Sequence, residues 1–141
     1  MNTLLKFGDN SIEFCNLRFY PDELARGNPY NCTTGLKVRS NGFAGVSPCE
    51  FDMRRLLTFT NELREMYEFR RSEIELQEIR YGGTLRFSAD GLGHIKISGH
   101  IFGIALEHEL KFTFDADQTA LVSFMEQLRK FTEYENYAEN D

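Results

Sequence analysis

The stretch 72-SEIELQEIRYGGTLRFSADGLGHIKISGHIF-102 decides the fold. Its apolar residues recur at every second position: Ile74 and Leu76, then Leu85 and Phe87, then Ile95, Ile97 and Ile101. Glu73, Glu75 and Gln77 fill the alternate positions of the first run. A period of two with one charged face is the signature of strands buried on one side only. Gly82-Gly83 and the tetrapeptide Asp90–Gly93 separate the runs and read as turns. A phosphate-binding glycine motif must open a helix, so that the helix N-terminus faces the anion. Gly91 and Gly93 instead lead into an alternating strand, so 90–93 is expected to be a hairpin turn. Gly99 takes the inward parity, where it leaves room for a helix side chain or marks a bulge.

Downstream, residues 105–114 put Leu106, Leu110, Phe112 and Phe114 on one face, opposite Glu107, Glu109, Lys111 and Thr113. Residues 72–114 therefore predict a four-stranded meander. Asp115 or Asp117 is expected to cap a closing helix whose buried stripe is Leu121, Phe124, Met125, Leu128 and Phe131. The acidic tail, residues 132–141, is expected to fray.

Upstream, residues 11–20 alternate with one slip between Phe14 and Leu17, which predicts a bulged strand. Residues 21–31 read as a polar loop. Residues 33–40 and 43–50 read as a hairpin closed by Asn41-Gly42, because both residues tolerate the positive φ of a type I′ turn. The period then changes over 51–69, where Leu56, Phe59, Leu63, Met66 and Tyr67 form one helical stripe behind an Asp52 N-cap. The expected order is β-β-β-α-β-β-β-β-α. This is an α+β protein with a curved antiparallel sheet of about seven strands and two amphipathic helices packed on one face.

The 141 residues are expected to form one domain, 1–141, with no repeat or linker. Hydrophobic residues at 41%, including 13 Phe, are enough for one core without a staple. Acidic residues outnumber basic ones 22 to 16, for a net charge of −6. That balance argues against a nucleic-acid partner, which needs clustered Lys and Arg. The N-terminus lacks the pattern of a signal peptide, and no apolar run nears the ~20 residues of a membrane helix. Cys15, Cys32 and Cys49 stand in no CxxC spacing and read as reduced thiols of a cytoplasmic protein.

No catalytic constellation stands out. His94 and His100 share the outer face of their strand, but six residues separate them by roughly 20 Å, so one metal cannot take both. A metal-assisted hydrolase would have to use one of them with Glu107 or Glu109. His108 has inward parity and reads as a hydrogen-bonded histidine at the core edge. No metal or cofactor is expected. What remains is an outer face of mixed charge, with Glu13, Glu73, Glu75, Lys96, Glu107 and Glu109, and with Asp90 at the tip of a turn. Of these, Glu73, Glu75, Asp90, Glu107 and Glu109 are the candidate contacts for a protein partner, since acidic surfaces raise the on-rate of basic partners.

The order ELREMY (62–67), ELQEIRYGGTLRFSADGLGHIKISG (75–99) and LKFTFDADQTALVSFMEQL (110–128) resembles the WapI-type bacterial immunity proteins. GHIKISG (93–99) and FDADQT (114–119) are its most specific pieces, and the resemblance covers roughly residues 43–131. It implies a cytosolic antitoxin, encoded beside a large secreted toxin. Such a protein binds the toxin's C-terminal domain, often a nuclease, and acts without catalysis. Toxin-contacting residues in that family vary with the toxin, so the resemblance assigns none here.

Overall fold

The computed structural model describes residues 2–139, with side chains to Glu133. The chain runs four strands and a helix, twice. The first set is β1 (Thr3–Phe7), β2 (Asn10–Phe19), β3 (Cys32–Ser40) and β4 (Phe43–Phe51), with a short helix α1 (Pro21–Ala25) between β2 and β3, followed by α2 (Met53–Tyr67). The second set is β5 (Glu73–Gln77), β6 (Thr84–Ala89), β7 (His94–Phe102) and β8 (Glu109–Asp117), followed by α3 (Ala120–Glu139). Each set of strands forms its own antiparallel sheet in sequence order, β1-β2-β3-β4 and β5-β6-β7-β8.

The α+β class holds, and the expected meander over 72–114 is the second sheet. Two sheets of four replace the expected single sheet of about seven strands, and the eighth strand is β1. Its Leu4-Leu5 pair shows little alternation, yet Thr3 and Leu5 are fully buried. The third helix, α1, lies in the predicted loop 21–31 and buries no residue, so no apolar stripe announces it. The tail expected to fray is helical in its backbone to Glu139, while residues 140 and 141 lie outside the described residues.

Local chemistry matches several expectations. The slip in β2 is a bulge between Cys15 and Arg18, with Asn16 at φ 54°. Asn41 and Gly42 both carry positive φ, at 50° and 89°, and close the β3–β4 hairpin. Asp52 caps α2 by accepting the Arg54 N–H at 3.1 Å, and Asp117 accepts the Ala120 N–H at the start of α3. On α2, Leu56, Phe59, Leu63 and Met66 are buried, whereas Tyr67 is exposed. All five residues of the predicted α3 stripe are buried.

The inner faces of the sheets meet. Phe14, Leu36 and Phe51 oppose Leu76, Leu85 and Ile101 across a space of only about 10 Å³. Helices α2 and α3 pack on each other, α3 beside edge strand β1 and α2 beside edge strand β5. Each helix thus flanks the sheet of the other set. Phe124 of α3 stacks toward Phe14 at 5.9 Å, Phe59 at 6.4 Å and Phe87 at 6.4 Å, so one ring touches both sheets and both long helices.

A second junction is polar. The strand expected over 72–81 ends at Gln77, and Glu78, on the inward parity, is only 3% exposed. Its carboxylate accepts four backbone N–H groups: Tyr81 at 2.6 Å and Gly83 at 3.1 Å on Oε1, Arg80 at 2.7 Å and Glu50 at 3.2 Å on Oε2. Ile79 also donates to the Glu50 carbonyl at 2.8 Å. A buried carboxylate is tolerated only when its oxygens are satisfied in this way. Glu78 therefore ties the end of β4 in one sheet to the β5–β6 turn of the other.

Gly99 makes room for a strand residue, not for a helix. A Cβ there would lie 2.5 Å from the Thr84 carbonyl oxygen and 2.7 Å from the Phe112 ring. Gly99→Ala is therefore expected to lower the unfolding free energy by about 2–3 kcal/mol in a denaturant titration, since the strand carbonyl cannot yield. A change below about 0.5 kcal/mol would show that β6 and β7 can separate at this point. Glu78→Gln places an amide NH2 against backbone donors and is expected to cost about 2–4 kcal/mol. Stability equal to that of the unaltered protein would mean the four donors find other acceptors.

Candidate functional site

Alternation along β5 to β8 sends Glu73, Glu75, Arg86, Ser88, Lys96, Glu109, Lys111 and Asp115 to the outer face of the second sheet. Register then sets charges of opposite sign side by side: Glu75 beside Arg86, and Lys96 beside Asp115. The ion pairs follow, Arg86–Glu75 at 3.2 Å and Lys96–Asp115 at 3.8 Å. Glu73 and Glu75 rim a groove of about 530 Å³ that also holds Glu62, Arg71, Arg86 and Lys96. Arg71 is itself paired with Glu62 and Glu65. The candidate acids on β5 thus sit among cations already matched to carboxylates.

Asp90 is the tip of the β6–β7 turn, as expected. Its carboxylate accepts the Leu92 N–H at 2.7 Å and meets His94 Nδ1 at 2.9 Å. These two contacts hold the acid below its ordinary pKa. His100 Nε2 lies 3.1 Å from Glu109 Oε2. His94 and His100 therefore each face one carboxylate. Among the described residues no three His, Cys, Asp or Glu side chains converge. None of the three cysteines forms a disulfide. Burial pushes the Cys49 thiol up to about 12, which removes it as a thiolate nucleophile at neutral pH.

The largest departure from the sequence reading lies at residues 103–108. The expected strand over 105–114 begins only at Glu109, and Ile104–Leu106 form a 3-10 turn. Leu106, given inward parity, is 58% exposed, and Ile104 is 72% exposed. Glu107 stands on this loop and not on the strand, and His108 is exposed. Ala105 and Leu106 both adopt left-handed backbone, at φ 58° and 62°. Two consecutive non-glycine residues in that region are strained, and such strain persists only where neighbours hold it. Tyr81 does so: its hydroxyl oxygen accepts the Ala105 N–H at 3.1 Å, and its own N–H is held by Glu78. Gly103 N–H bonds the His108 carbonyl at 2.8 Å and closes the loop. Nothing in the residue types of 103–108 signals the bend, because alternation through Leu106, Leu110 and Phe112 continues across it.

This loop and β4 enclose a groove of about 460 Å³, lined by Ala44, Gly45 and Val46 on one side and by residues 101–104 and 107–110 on the other. Phe43 and Val46 are 70% and 60% exposed beside it. Glu107 and Glu109 are its only fixed charges, and no lysine or arginine lines it. Lys37 and Arg39 pair with Val46 and Ala44 in register, on the outer face of the first sheet. Of the five candidate contacts, the structure brings Glu107 and Glu109 together here. Glu73 and Glu75 lie at the far edge strand of the same sheet, and Asp90 lies at a turn. Tyr81→Phe removes the acceptor for Ala105 and is expected to speed amide hydrogen exchange at residue 105 by about 2–10-fold with little change in global stability. An unaltered rate there would mean the loop holds its strain without Tyr81.

The fold is similar to that of a chain from the crystal structures of Trypanosoma bruciei MRP1/MRP2, with a TM-score of 0.53 and 9% identity over 100% of this chain and 87% of that one. At that identity the likeness concerns the fold alone. The sequence matches none of the curated proteins it was compared with. A family model does match, over residues 5–134, and so takes in the first sheet as well as the segments from 43 onward. The chain belongs to the immunity protein WapI-like family.

Proposed function

We propose that this protein is the cytoplasmic immunity partner of a secreted toxin, and that it neutralises the toxin's C-terminal domain by binding it. Membership of the WapI-like immunity family over nearly the whole chain carries this reading. A net charge of −6 supports it, because an acidic inhibitor is drawn to the basic cleft of a nuclease. The toxin domain is accordingly proposed to be a nuclease. Inhibition acts by occupancy and needs no cofactor from the inhibitor. Glu107 and Glu109, which line one groove free of lysine and arginine, are the leading acidic contacts, although Glu109 must leave His100 to meet a partner. Glu73, Glu75 and Asp90 are secondary ones, because Glu73 and Glu75 share their groove with Arg71, Arg86 and Lys96 and Asp90 is held by His94. No helix among the described residues is long and apolar enough to cross a membrane.

The test is co-expression with the C-terminal toxin domain encoded beside the gene for this chain. Growth is expected to be restored, and the two proteins are expected to elute together in gel filtration. Continued killing, with the two proteins eluting separately, would reject the reading.

A further inference from the structure

We propose that the outer edge of β4 at Ala44–Val46 receives an extended strand of the toxin domain, which lays an apolar side chain in the groove and a lysine or arginine against Glu107 and Glu109. This inference rests on the toxin-binding reading and names its contact surface.

The direction of the β4 backbone follows from its far end. The Glu50 N–H and C=O point away from β3, to Glu78 and Ile79. The β3–β4 register is unbroken from Cys32↔Phe51 to Ser40↔Phe43. In an antiparallel strand each residue sends both backbone groups to one side, and successive residues alternate. Pro48, Val46 and Ala44 therefore present their backbone outward, and Pro48 has no N–H to present. The outward groups of Ala44 and Val46 have no hydrogen-bond partner among the described residues.

Each of the other edges carries a cap at one residue. Gln127 of α3 accepts the Leu4 N–H on β1. Arg55 of α2 donates to the Glu75 carbonyl on β5. Ser40 and Asn41 donate to the Thr113 carbonyl on β8. The upper half of β4 is closed by Glu78 and Ile79. An unpaired edge stretch invites another strand, and natural sheets suppress it unless it serves recognition. Here that stretch adjoins a groove and a strained loop that shows Ile104 and Leu106 to solvent.

Charge selects the occupant. The groove holds two carboxylates and no lysine or arginine, so an apolar and basic segment complements it. A second copy of this chain would bring the same acidic rim against its own, which opposes self-pairing.

Hydrogen exchange of the protein alone and bound to the toxin domain reads the contact directly. The amides of Ala44 and Val46 are expected to exchange at least ~10-fold more slowly in the complex, as ladder amides do. Val46→Pro removes the outward donor and is expected to weaken the complex at least ~100-fold. Circular dichroism will show whether that variant folds. Glu107→Lys with Glu109→Lys leaves the backbone intact and is expected to weaken binding at least ~10-fold, whereas Glu73→Lys with Glu75→Lys changes it less than ~3-fold. A tight complex without protection at residues 44 and 46 would overturn the inference and leave the toxin-binding reading standing. So would a folded Val46→Pro variant that binds unchanged. Protection that grows with protein concentration in the absence of toxin would assign the edge to a second copy. Failure of the unaltered protein to bind the toxin domain would bring down both.

Discussion

Phe124 is the contact on which the rest of the molecule depends. It reaches from α3 to Phe14 in the first sheet, Phe87 in the second and Phe59 on α2. Neither four-stranded sheet can bury its apolar face alone, and each helix is amphipathic and short of a partner. Placing one ring where all four meet turns two half-structures into one core. Burial of such a side chain is worth about 1.5–3 kcal/mol, and offset or edge contacts between rings add about 0.5–1.5 kcal/mol per pair. Those amounts are large beside the 5–15 kcal/mol of net stability typical of a folded domain. Each helix flanks the sheet of the other set, so the core cannot form from one half of the chain.

Much of this was legible in the sequence because it depends on period. Ile95 and Ile97, or Leu121 and Phe124, show which face is inward without knowledge of the partner. The hairpin at Asn41-Gly42 and the cap at Asp52 were equally readable, since those residues satisfy local backbone needs, while the cap of α3 was narrowed to Asp115 or Asp117 and is Asp117. The number of sheets was not readable. Alternation states that a strand has an inner face but not which strands share a ladder, and the chain's break at α2 looks the same whether the sheet continues or a new one begins. β1 escaped because only Thr3 and Leu5 mark its inner face.

The site was legible in part. Glu107 and Glu109 were picked for charge and do meet at the groove, but the loop that presents them was read as strand. Its bend comes from contacts distant in sequence: Glu78 orders the 78–83 turn, which places Tyr81, which holds Ala105. Glu78 itself was visible as a carboxylate on inward parity after Ile74 and Leu76, a signal worth heeding in any strand. The two-sheet body and the groove beside β4 are thus physically linked. The buried carboxylate that ties the sheets together also positions the loop opposite the free stretch of β4.

On the proposed reading, the two-sheet body holds this edge and groove for a partner's strand. The crystal structure of the protein bound to the C-terminal domain of its neighbouring toxin tests it most directly. A toxin segment is expected to pair with β4, with its backbone within about 3 Å of the Val46 N–H and C=O, and with a basic side chain against Glu107 or Glu109. A toxin domain seated on the outer face of β5–β8, with the Val46 backbone open to water, would contradict it.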